Sequence, residues 1–454
     1  MTLIKSISGI RGTIGGGAEE GLSPPAVIKY VAAFGVWVKS RSKNRKSKII
    51  LGRDARMSGE MMSNLVTGTL QSLGIDVIDL GLSTTPTVEI AVVLDKADAG
   101  IIITASHNPK NWNALKLFNE KGEFISAKDG EDMLTIAEQG NFHFADVMEL
   151  GSYTKDDSMI KKHIDKIIGL PLVNTHAIAA KNFKVAIDCV NSTGGIAVPA
   201  LLRALGVSEV VELFCEPNGN FPHNPEPLPE NLSVLSKAVV KHKAHIGFAV
   251  DPDVDRLAII SETGDAFGEE YTLVAVADYL LKHKKGAVVS NLSSSGALRV
   301  ITEKAGQKYY ASAVGEVNVV EMMKIKKAVI GGEGNGGVIY PDLHYGRDAL
   351  AGIALFLSHL ALIGKSCSWL RGQYPDFFIS KNKIELTPGI DVNKILLAMK
   401  TLYKDYPVNT IDGIKIDFND REWAHLRKSN TEPIIRIYTE STSKQGAGKL
   451  AKRI

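Results

Sequence analysis

The chain has 454 residues, of which 44% are hydrophobic and 23% charged, with a formal net charge of +3 at pH 7. This length exceeds a single ordinary core and indicates roughly three or four domains. The balanced composition is typical of a globular protein, and so small a net charge gives no reason to expect a nucleic-acid partner.

Other features of the chain argue against secretion and membrane insertion. The N-terminus MTLIKSISGIRG meets a lysine and then glycines before an apolar run reaches signal-peptide length. Three widely spaced cysteines suggest neither a disulfide framework nor a zinc motif. The longest apolar stretch, residues 349–364, is shorter than a bilayer span and predicts a buried core helix. We therefore expect a cytoplasmic protein without a membrane partner.

A basic run, KSRSKNRKSK at residues 39–48, has the charge of a nucleic-acid patch. Patches that bind single strands interleave aromatic residues with the cations, and this run has none. We interpret it as a solvated loop between a helix and the strand IILG. This interpretation agrees with the small net charge of the whole chain.

A strand, a turn of small residues and a helical pattern recur three times along the chain. The three copies begin with KIILGRDARMSG at Lys48, KVAIDCVNSTGG at Lys184 and GAVVSNLSSSG at Gly286. Their alternation predicts α/β layering with largely parallel strands, in three similar domains. The C-terminal region has short alternating strands around a helix, residues 392–406, and predicts an α+β domain. The polar segment near Gly151, the end of FAVDPDVDRLAII and the start of CSWLRGQYPDFF suggest four domains: 1–153, 154–259, 260–370 and 371–454.

The segment TASHNP, residues 104–109, directly follows the apolar run GIIIT, which predicts a buried strand. Ser106 therefore stands at the carboxyl edge of a sheet, where α/β proteins bind ligands. Because His107 is adjacent, a serine hydrolase is one hypothesis. The segment has no GxSxG elbow and no obvious acid partner, which weakens that hypothesis.

The segment DPDVDR, residues 251–256, carries the clearest chemical signal. In an extended backbone Asp251, Asp253 and Asp255 project to one side, where their charges repel unless a cation neutralises them. Oxygen ligands alone favour Mg²⁺ or Ca²⁺ over zinc. An EF-hand is the alternative, but its sixth position is Arg256 instead of glycine and a strand-like LAII follows. We expect a metal site, with Arg256 suited to an anionic ligand.

The glycine-rich segment GGEGNGG, from Gly331, contains a formal GxGxxG pattern. In a dinucleotide-binding fingerprint the glycines are followed by a helix. Here VIYPD follows, and Pro341 disfavours a helix at that place. A flexible loop that presents Glu333 and Asn335 to sugar hydroxyls explains the same residues.

A fourth segment, RKSNTEPIIR at residues 427–436, combines two arginines with several hydrogen-bond donors. Such a set is suited to a phosphate dianion, although a solvated hairpin has the same pattern. The candidate phosphate ligands are Arg427, Ser429, Asn430, Thr431 and Arg436. A serine, a magnesium site and a phosphate clamp in one chain indicate phosphoryl chemistry.

With these four motifs in this order, the chain resembles the α-D-phosphohexomutases over essentially its whole length. Further agreement comes from SGIRG with Arg11, LGRDAR with Arg53 and FPHNPEP from Phe221. The resemblance implies three topologically similar α/β domains with mixed sheets and a C-terminal α+β domain, around a central cleft. It also implies an isomerase that interconverts hexose 1- and 6-phosphates through a sugar 1,6-bisphosphate, which serves as activator.

The resemblance assigns roles to individual residues. Ser106 carries the phosphoryl group and binds Mg²⁺ together with Asp251, Asp253 and Asp255. His107 positions the phosphate, and Arg11 and Lys116 assist proton transfer or neutralise charge. Glu333, Asn335 and Arg256 contact the sugar, and the clamp of residues 427–436 holds the other phosphate. We expect a monomer or homodimer, and hinge motion of the fourth domain is a further hypothesis.

Some residues depart from the family pattern. Many members have a histidine at the end of the sugar loop, where this chain has Gly337, and nearby His344 is a candidate replacement. The segment from Ser312, SAVGEVNVVEMM, resembles phosphoglucosamine mutases and favours glucosamine phosphate as substrate. The alternatives are a mannose or glucose phosphate mutase, a phosphatase that passes the phosphoserine to water, and a non-catalytic sugar-phosphate binder.

Overall fold

A computed structural model describes residues 2–6, 9–42, 46–386, 391–428 and 434–454. The chain forms two compact units, the first from Met1–Glu269 and Gly337–Ser368, the second from Glu270–Gly336 and Trp369–Ile454. Both units combine sheets with helices, which confirms the predicted α/β class. The four domain boundaries stay predictions.

The first unit opens with a seven-stranded mixed sheet. Its elements are β1 (Leu3–Ser6), β2 (Gly9–Thr13), α1 (Pro24–Arg41), β3 (Lys48–Arg53), α2 (Gly59–Ser72), β4 (Asp76–Leu82), α3 (Thr85–Leu94), β5 (Ala99–Ile103), β6 (Trp112–Phe118), α4 (Ala127–Gln139) and β7 (Tyr153–Lys155). The strand order is β1-β2-β6-β5-β3-β4-β7, with β3 parallel to β4 and β5 and with β6 antiparallel to β5. Every residue of the apolar strand β5 is buried, as the sequence predicts. Residues 43–45 of the basic run lie outside the described residues.

A second sheet of the first unit repeats this arrangement with four strands. Its elements are α5 (Met159–Ile168), α6 (Thr175–Ala180), β8 (Lys184–Asp188), α7 (Gly194–Ala204), β9 (Glu209–Leu213), α8 (Ser233–His242), β10 (Ile246–Val250) and β11 (Leu257–Ser261). The order is β11-β10-β8-β9. Here β8 is parallel to β9 and β10, and β11 is antiparallel to β10. The order β6-β5-β3-β4 of the first sheet thus recurs.

The second unit starts with a third copy of the parallel core. Its elements are α9 (Glu269–His283), β12 (Val288–Asn291), α10 (Gly296–Lys304), β13 (Tyr309–Ser312), α11 (Glu316–Lys326) and β14 (Ile330–Glu333). Strand β12 is parallel to both β13 and β14. The three sequence repeats therefore build three similar strand arrangements, which confirms the prediction drawn from their periodicity.

The chain continues through β15 (Gly337–Ile339), α12 (Ala349–Ile363) and α13 (Cys367–Arg371). Helix α12 is buried over nearly its whole length and packs within the first unit against α5, α6 and α7, as its apolar sequence predicts. Among the described residues, no helix is both long enough and apolar enough to cross a membrane.

The C-terminal region of the second unit is an antiparallel sheet with two helices. Its elements are β16 (Phe378–Glu385), α14 (Val392–Leu402), β17 (Val408–Asn409), β18 (Ile414–Asn419), β19 (Glu422–Lys428), β20 (Ile434–Ser441) and α15 (Lys444–Arg453). The strand order is β16-β20-β19-β18-β17. The predicted α+β character is confirmed, but α14 ends at Leu402 instead of Tyr406. The helix ends where Tyr403, its C-cap residue, leaves helical backbone angles with φ −106° and ψ 26°.

Candidate active site

The first three sequence motifs stand at equivalent places in the three repeats. Strands β5, β10 and β14 are each parallel to the first strand of their repeat. Ser106 lies just after β5, Asp251 directly follows β10, and Glu333 is the last residue of β14. The carboxyl ends of parallel strands are where α/β sheets bind ligands. The repeated fold therefore explains why the chemistry recurs at these three places.

The hydroxyl group of Ser106 contacts the segment DPDVDR, residues 251–256, which is called the metal loop below. Its Oγ donates to Oδ2 of Asp251 at 2.7 Å, and its backbone N–H donates to Oγ1 of Thr104 at 2.9 Å. The backbone of Ser106 has φ +49°, a left-handed conformation that costs a non-glycine residue free energy. The loop holds this conformation, which turns the hydroxyl out of the line of β5 toward Asp251.

The guanidinium group of Arg56 holds this loop in place, and sequence reasoning missed it. Arg56 is buried, and its Nε lies 3.0 Å from Oδ2 of Asp54. Its remaining donors bind four carbonyl oxygens, those of Ser106 (2.5 Å), Asn108 (2.6 Å), Pro109 (2.7 Å) and Trp112 (3.0 Å). The only signal in the sequence is the second arginine of LGRDAR, three residues beyond Arg53.

Substituting Arg56 by lysine is expected to destabilise the protein by about 3 kcal/mol, because buried carbonyls and the Asp54 carboxylate lose their donors. Urea unfolding followed by circular dichroism measures the loss. Arg53→Lys is the matched control, since Arg53 makes a single long bond of 3.4 Å to the Asp54 carbonyl. Equal unfolding midpoints for the two variants would show that Arg56 does not support the loop.

The metal loop is a turn, so the prediction of an extended segment is wrong. Val254 has φ +63°, and the reversal of the chain at this residue directs the flanking carboxylates together. Asp251, Asp253 and Asp255 are buried, and each offers an oxygen within 4.8 Å of the other two. The backbone N–H of Thr85 fixes the turn by donating to the carbonyl of Asp253 at 2.9 Å.

Two cations balance the charge of the aspartates. Nζ of Lys116 lies 2.6 Å from Asp253 and 3.1 Å from Asp255, and Nη2 of Arg347 donates to Asp255 at 2.7 Å. Burial opposes ionisation of Asp255, but Arg347 and Lys116 outweigh it and hold the pKa of Asp255 well below its usual range. Likewise Asp253 and Asp255 overcome the burial of Lys116 and raise its pKa, so this amine stays protonated. Sequence reasoning missed Arg347.

The aspartates retain oxygen atoms for a metal ion. Oδ1 of Asp253 and Oδ1 of Asp255 are buried and accept no hydrogen bond from the described residues. Burial, together with the charges of Asp255 and Asp253, raises the pKa of Asp251 well above its usual range. A divalent cation satisfies unpaired carboxylate oxygens and favours ionised Asp251. The acidic triad therefore fits a metal ion bound through oxygen.

Arg11 and His107 flank the Ser106 hydroxyl. Nη1 of Arg11 donates to Oδ1 of Asn108 at 2.7 Å, so it holds the side of the serine loop. Nδ1 of His107 lies 3.3 Å from Oγ of Ser106. Burial and the positive charges of Arg256 and Arg11 lower the pKa of His107 well below its usual range. The imidazole is therefore neutral.

Arg256 also belongs to this cluster. Its backbone N–H donates to Oδ1 of Asp251 at 3.1 Å, and Nη1 donates to Oε1 of Glu226 at 3.2 Å. Glu226 is part of FPHNPEP, a segment noted in the sequence without an assigned role. The structure thus brings together Ser106, the three aspartates, Lys116, Arg11, His107 and Arg256 within the first unit.

Glu333 and Asn335, two of the three predicted sugar residues, lie in the second unit. Oε1 of Glu333 accepts from Nδ2 of Asn291 at 2.8 Å and from the backbone N–H of Gly315 at 3.1 Å. Asn335 stands in a three-residue turn, 334–336, so the predicted flexible loop is instead a tight turn. Gly334 leaves room there for the Glu270 carboxylate, which a Cβ atom would approach to 1.9 Å. A strand follows instead of a helix, which excludes the dinucleotide fingerprint.

The phosphate-clamp prediction is described only in part, because Ser429, Asn430 and Thr431 lie outside the described residues. Arg427 on β19 and Arg436 on β20 are direct cross-strand partners. Like charges placed opposite each other destabilise a sheet unless an anion neutralises them. Burial lowers the pKa of Arg427, and Arg436 contributes to the shift. This pair favours an anionic ligand.

Gly337 opens β15, and His344, the candidate replacement for the histidine that many family members have there, lies between two carboxylates. Nδ1 of His344 lies 3.1 Å from the Glu89 carboxylate and Nε2 lies 3.2 Å from that of Asp348. Both ring nitrogens are thus engaged within the first unit.

Four consecutive segments match the phosphoglucomutase/phosphomannomutase domain families: residues 3–143 match domain I, 161–264 domain II, 268–377 domain III and 384–454 the C-terminal domain. A phosphoglucomutase/phosphomannomutase of Thermococcus kodakarensis is 35% identical over 97% of this chain and 94% of that protein. The "Probable phosphoglucosamine mutase" of Methanopyrus kandleri is 30% identical over 98% of this chain and 95% of its own. The crystal structure of a phosphoglucomutase/phosphomannomutase family protein from Burkholderia thailandensis superposes with a TM-score of 0.84, at 25% identity, covering 99% of this chain and 95% of that one.

The chain belongs to the α-D-phosphohexomutase family. It is accordingly an isomerase, a phosphotransferase that moves a phosphoryl group between two positions of a hexose phosphate.

Proposed function

We propose that this phosphohexomutase works through a phosphoserine at Ser106 and one Mg²⁺ bound by Ser106, Asp251, Asp253 and Asp255. The contact of 2.7 Å between Oγ of Ser106 and Oδ2 of Asp251 carries the proposal, because it joins the two motifs across 145 positions of sequence. When bound, Mg²⁺ supplies positive charge to the oxygens of the transferring phosphoryl group.

The residues of the first unit have distinct parts in the proposed transfer. Phosphorylated Ser106 gives its phosphoryl group to the free hydroxyl of a hexose 1- or 6-phosphate, and the sugar 1,6-bisphosphate turns and returns its other phosphate. Protonated Lys116 stabilises negative charge, since the buried carboxylates prevent its deprotonation. Arg11 and neutral His107 position the serine loop. A sugar 1,6-bisphosphate serves as activator by rephosphorylating Ser106.

Residues of the second unit are proposed to bind the remainder of the substrate. Glu333 and Asn335 are proposed to bind sugar hydroxyls. Arg256, in the first unit, is a separate candidate for sugar binding. Arg427 and Arg436, with residues 429–431, hold the phosphate that is not being transferred. Two facing arginines recognise phosphate without regard to the sugar, which suits an intermediate that must bind in both orientations. We propose that the enzyme acts in the cytoplasm as a monomer or homodimer.

We propose glucosamine phosphate as the preferred substrate, on the segment from Ser312 and on the name of the Methanopyrus relative. Turnover of glucosamine, mannose and glucose 1-phosphates, each with its 1,6-bisphosphate activator at saturation, tests this preference. We expect glucosamine 1-phosphate to give the highest kcat/KM, by about 10-fold, the effect of one well-placed contact. A 10-fold preference for either other sugar would contradict this substrate while leaving the mutase assignment in place.

The same assay separates the mutase from a phosphatase. Ser106 is only 3% exposed, and Arg56, Asp251 and His107 surround its loop, so the structure favours transfer to a bound sugar over transfer to water. Inorganic phosphate is therefore expected to form much more slowly than isomerised sugar. Release of phosphate without isomerisation would support the phosphatase hypothesis.

A further inference from the structure

A second group of metal-ligating side chains lies in the first unit, apart from the aspartate triad. Nε2 of His163, on α5, lies 2.8 Å from Oδ2 of Asp348, and Nε2 of His344 lies 3.2 Å from the same oxygen. The ligand atoms of these three residues all lie within 4.8 Å of one another. Donor atoms bound tetrahedrally to one Zn²⁺ at 2.0–2.1 Å are roughly 3.3 Å apart, which is close to these separations.

Each imidazole has a partner on its other nitrogen. Nδ1 of His344 lies 3.1 Å from Oε2 of Glu89, and Nδ1 of His163 lies 3.0 Å from Oγ1 of Thr87, both on α3. Histidines that bind zinc are oriented in this way, with Nδ1 held by a carboxylate or another oxygen and Nε2 directed at the metal. The Glu89 carboxylate beside Nδ1 of His344 thus matches the surroundings of an imidazole whose Nε2 faces a metal ion.

The fold also orients the carboxylate of Asp348 toward the two imidazoles. Its Oδ1 caps α12 by accepting the backbone N–H groups of Leu350 at 2.8 Å and Ala351 at 3.1 Å. This leaves Oδ2 to face the two Nε2 atoms. Gly346 gives the group its space, because a Cβ atom at this position would lie 1.8 Å from Oε2 of Glu89.

We propose that Nε2 of His163, Nε2 of His344 and Oδ2 of Asp348 bind one divalent transition-metal ion, with Glu89 and Thr87 as outer partners. Two imidazoles and one carboxylate match Zn²⁺ better than Mg²⁺, which prefers oxygen ligands alone. One dication with neutral imidazoles balances the two carboxylates of the group. Because His163 and Asp348 are buried, the role of the metal is structural: it fastens α3, α5 and the start of α12 to one another.

Protons are the competing occupants of this group. A protonated His344 also balances negative charge in the group, and Asp348 and Glu89 raise its pKa to about 10 in spite of its burial. Zinc binding and protonation exclude each other at Nε2, because the metal needs the lone pair of each ring. A direct measurement of bound zinc distinguishes the two occupants.

The experiment uses the full chain carrying Asp253→Asn, so that the aspartate triad contributes little metal binding. The protein is stripped with EDTA, freed of chelator, incubated with Zn²⁺ and excess Mg²⁺, and gel-filtered before zinc is counted by mass spectrometry. We expect one zinc per chain, a loss of this zinc in His344→Gln, and about 10- to 100-fold weaker binding in Glu89→Gln. His176→Gln, which alters an exposed histidine, is the matched control and should retain the zinc.

Absence of stoichiometric zinc, or its full retention in His344→Gln, would overturn the proposal. Cobalt provides a second measurement that needs no histidine variant and so does not depend on whether His344→Gln folds. Co²⁺ bound to the Asp253→Asn chain should give the intense visible absorption of a tetrahedral site. A spectrum that shows only the weak bands of octahedral oxygen ligation would also contradict the proposed site.

Discussion

Replacing Ser106 with alanine should reduce mutase turnover by about 10⁴-fold or more, as expected when a covalent nucleophile is removed. We also expect a partial phosphate modification in the freshly purified wild type and its absence from the variant. The reason is geometric as well as chemical, because Oγ of Ser106 donates a hydrogen bond to Oδ2 of Asp251. Alanine keeps the backbone of the loop and removes both the phosphate carrier and this contact.

Intact-mass analysis of wild type and variant, made beside the turnover assay, provides the measurement. Ser40→Ala is the matched control, since Ser40 is an exposed serine on α1 whose hydroxyl donates to the Trp37 carbonyl. The control should keep both the phosphate and the activity. Phosphate that persists in Ser106→Ala, or localises to another residue by peptide mapping, would overturn the assignment of Ser106.

The fold was largely predictable because its elements carry local patterns. The apolar run at β5, the alternation in β18 and the long apolar helix α12 each predict their own structure from neighbouring residues alone. The threefold repeat was visible as recurring strand–turn–helix segments. Element ends were less predictable, as the early end of α14 shows, because they depend on the backbone conformation of single residues such as Tyr403.

Local sequence patterns also decided which residues of the site could be predicted. Ser106 and the three aspartates stand in motifs whose chemistry is unusual in itself, so the sequence alone predicted them. Arg56 and Arg347 look like ordinary surface cations in the sequence, and their roles depend on contacts across 50 and 92 positions. Contacts at such separations leave no local pattern, and only the fold reveals them.

Val254 shows how a local rule can fail at a functional site. Its neighbours Asp253 and Asp255 suggested alternating side chains on an extended backbone, whereas Val254 itself adopts φ +63°. A β-branched residue disfavours this conformation, so its own propensity argues against the turn. Two backbone hydrogen bonds hold this conformation. The N–H of Thr85 donates to the carbonyl of Asp253, and the N–H of Ala349 donates to the carbonyl of Val254. Strain of this kind is concentrated at functional sites.

Replacing Asp253 with asparagine should reduce Mg²⁺-dependent turnover by about 10³-fold, the loss expected when a metal ion that stabilises transferring charge is weakened. The protein should remain folded, with a melting temperature within about 4 °C of wild type. Asparagine keeps a carbonyl oxygen for Lys116 and Thr85, and Lys116 retains Asp255 at 3.1 Å. Removing one negative charge also lessens the repulsion at Asp251, whose pKa is raised by burial and by its two acidic neighbours.

Thermal unfolding with and without Mg²⁺, combined with the turnover assay, separates these two effects. Mg²⁺ should raise the melting temperature of wild type, because a ligand that binds only the folded state stabilises it, and should leave Asp253→Asn unchanged. Asp265→Asn is a matched control, since Asp265 is an exposed aspartate beyond β11. If Asp253→Asn unfolds without Mg²⁺ present, the triad serves mainly to hold Lys116 and Arg347 in the core. If it remains folded and still responds to Mg²⁺ as wild type does, the ion binds elsewhere.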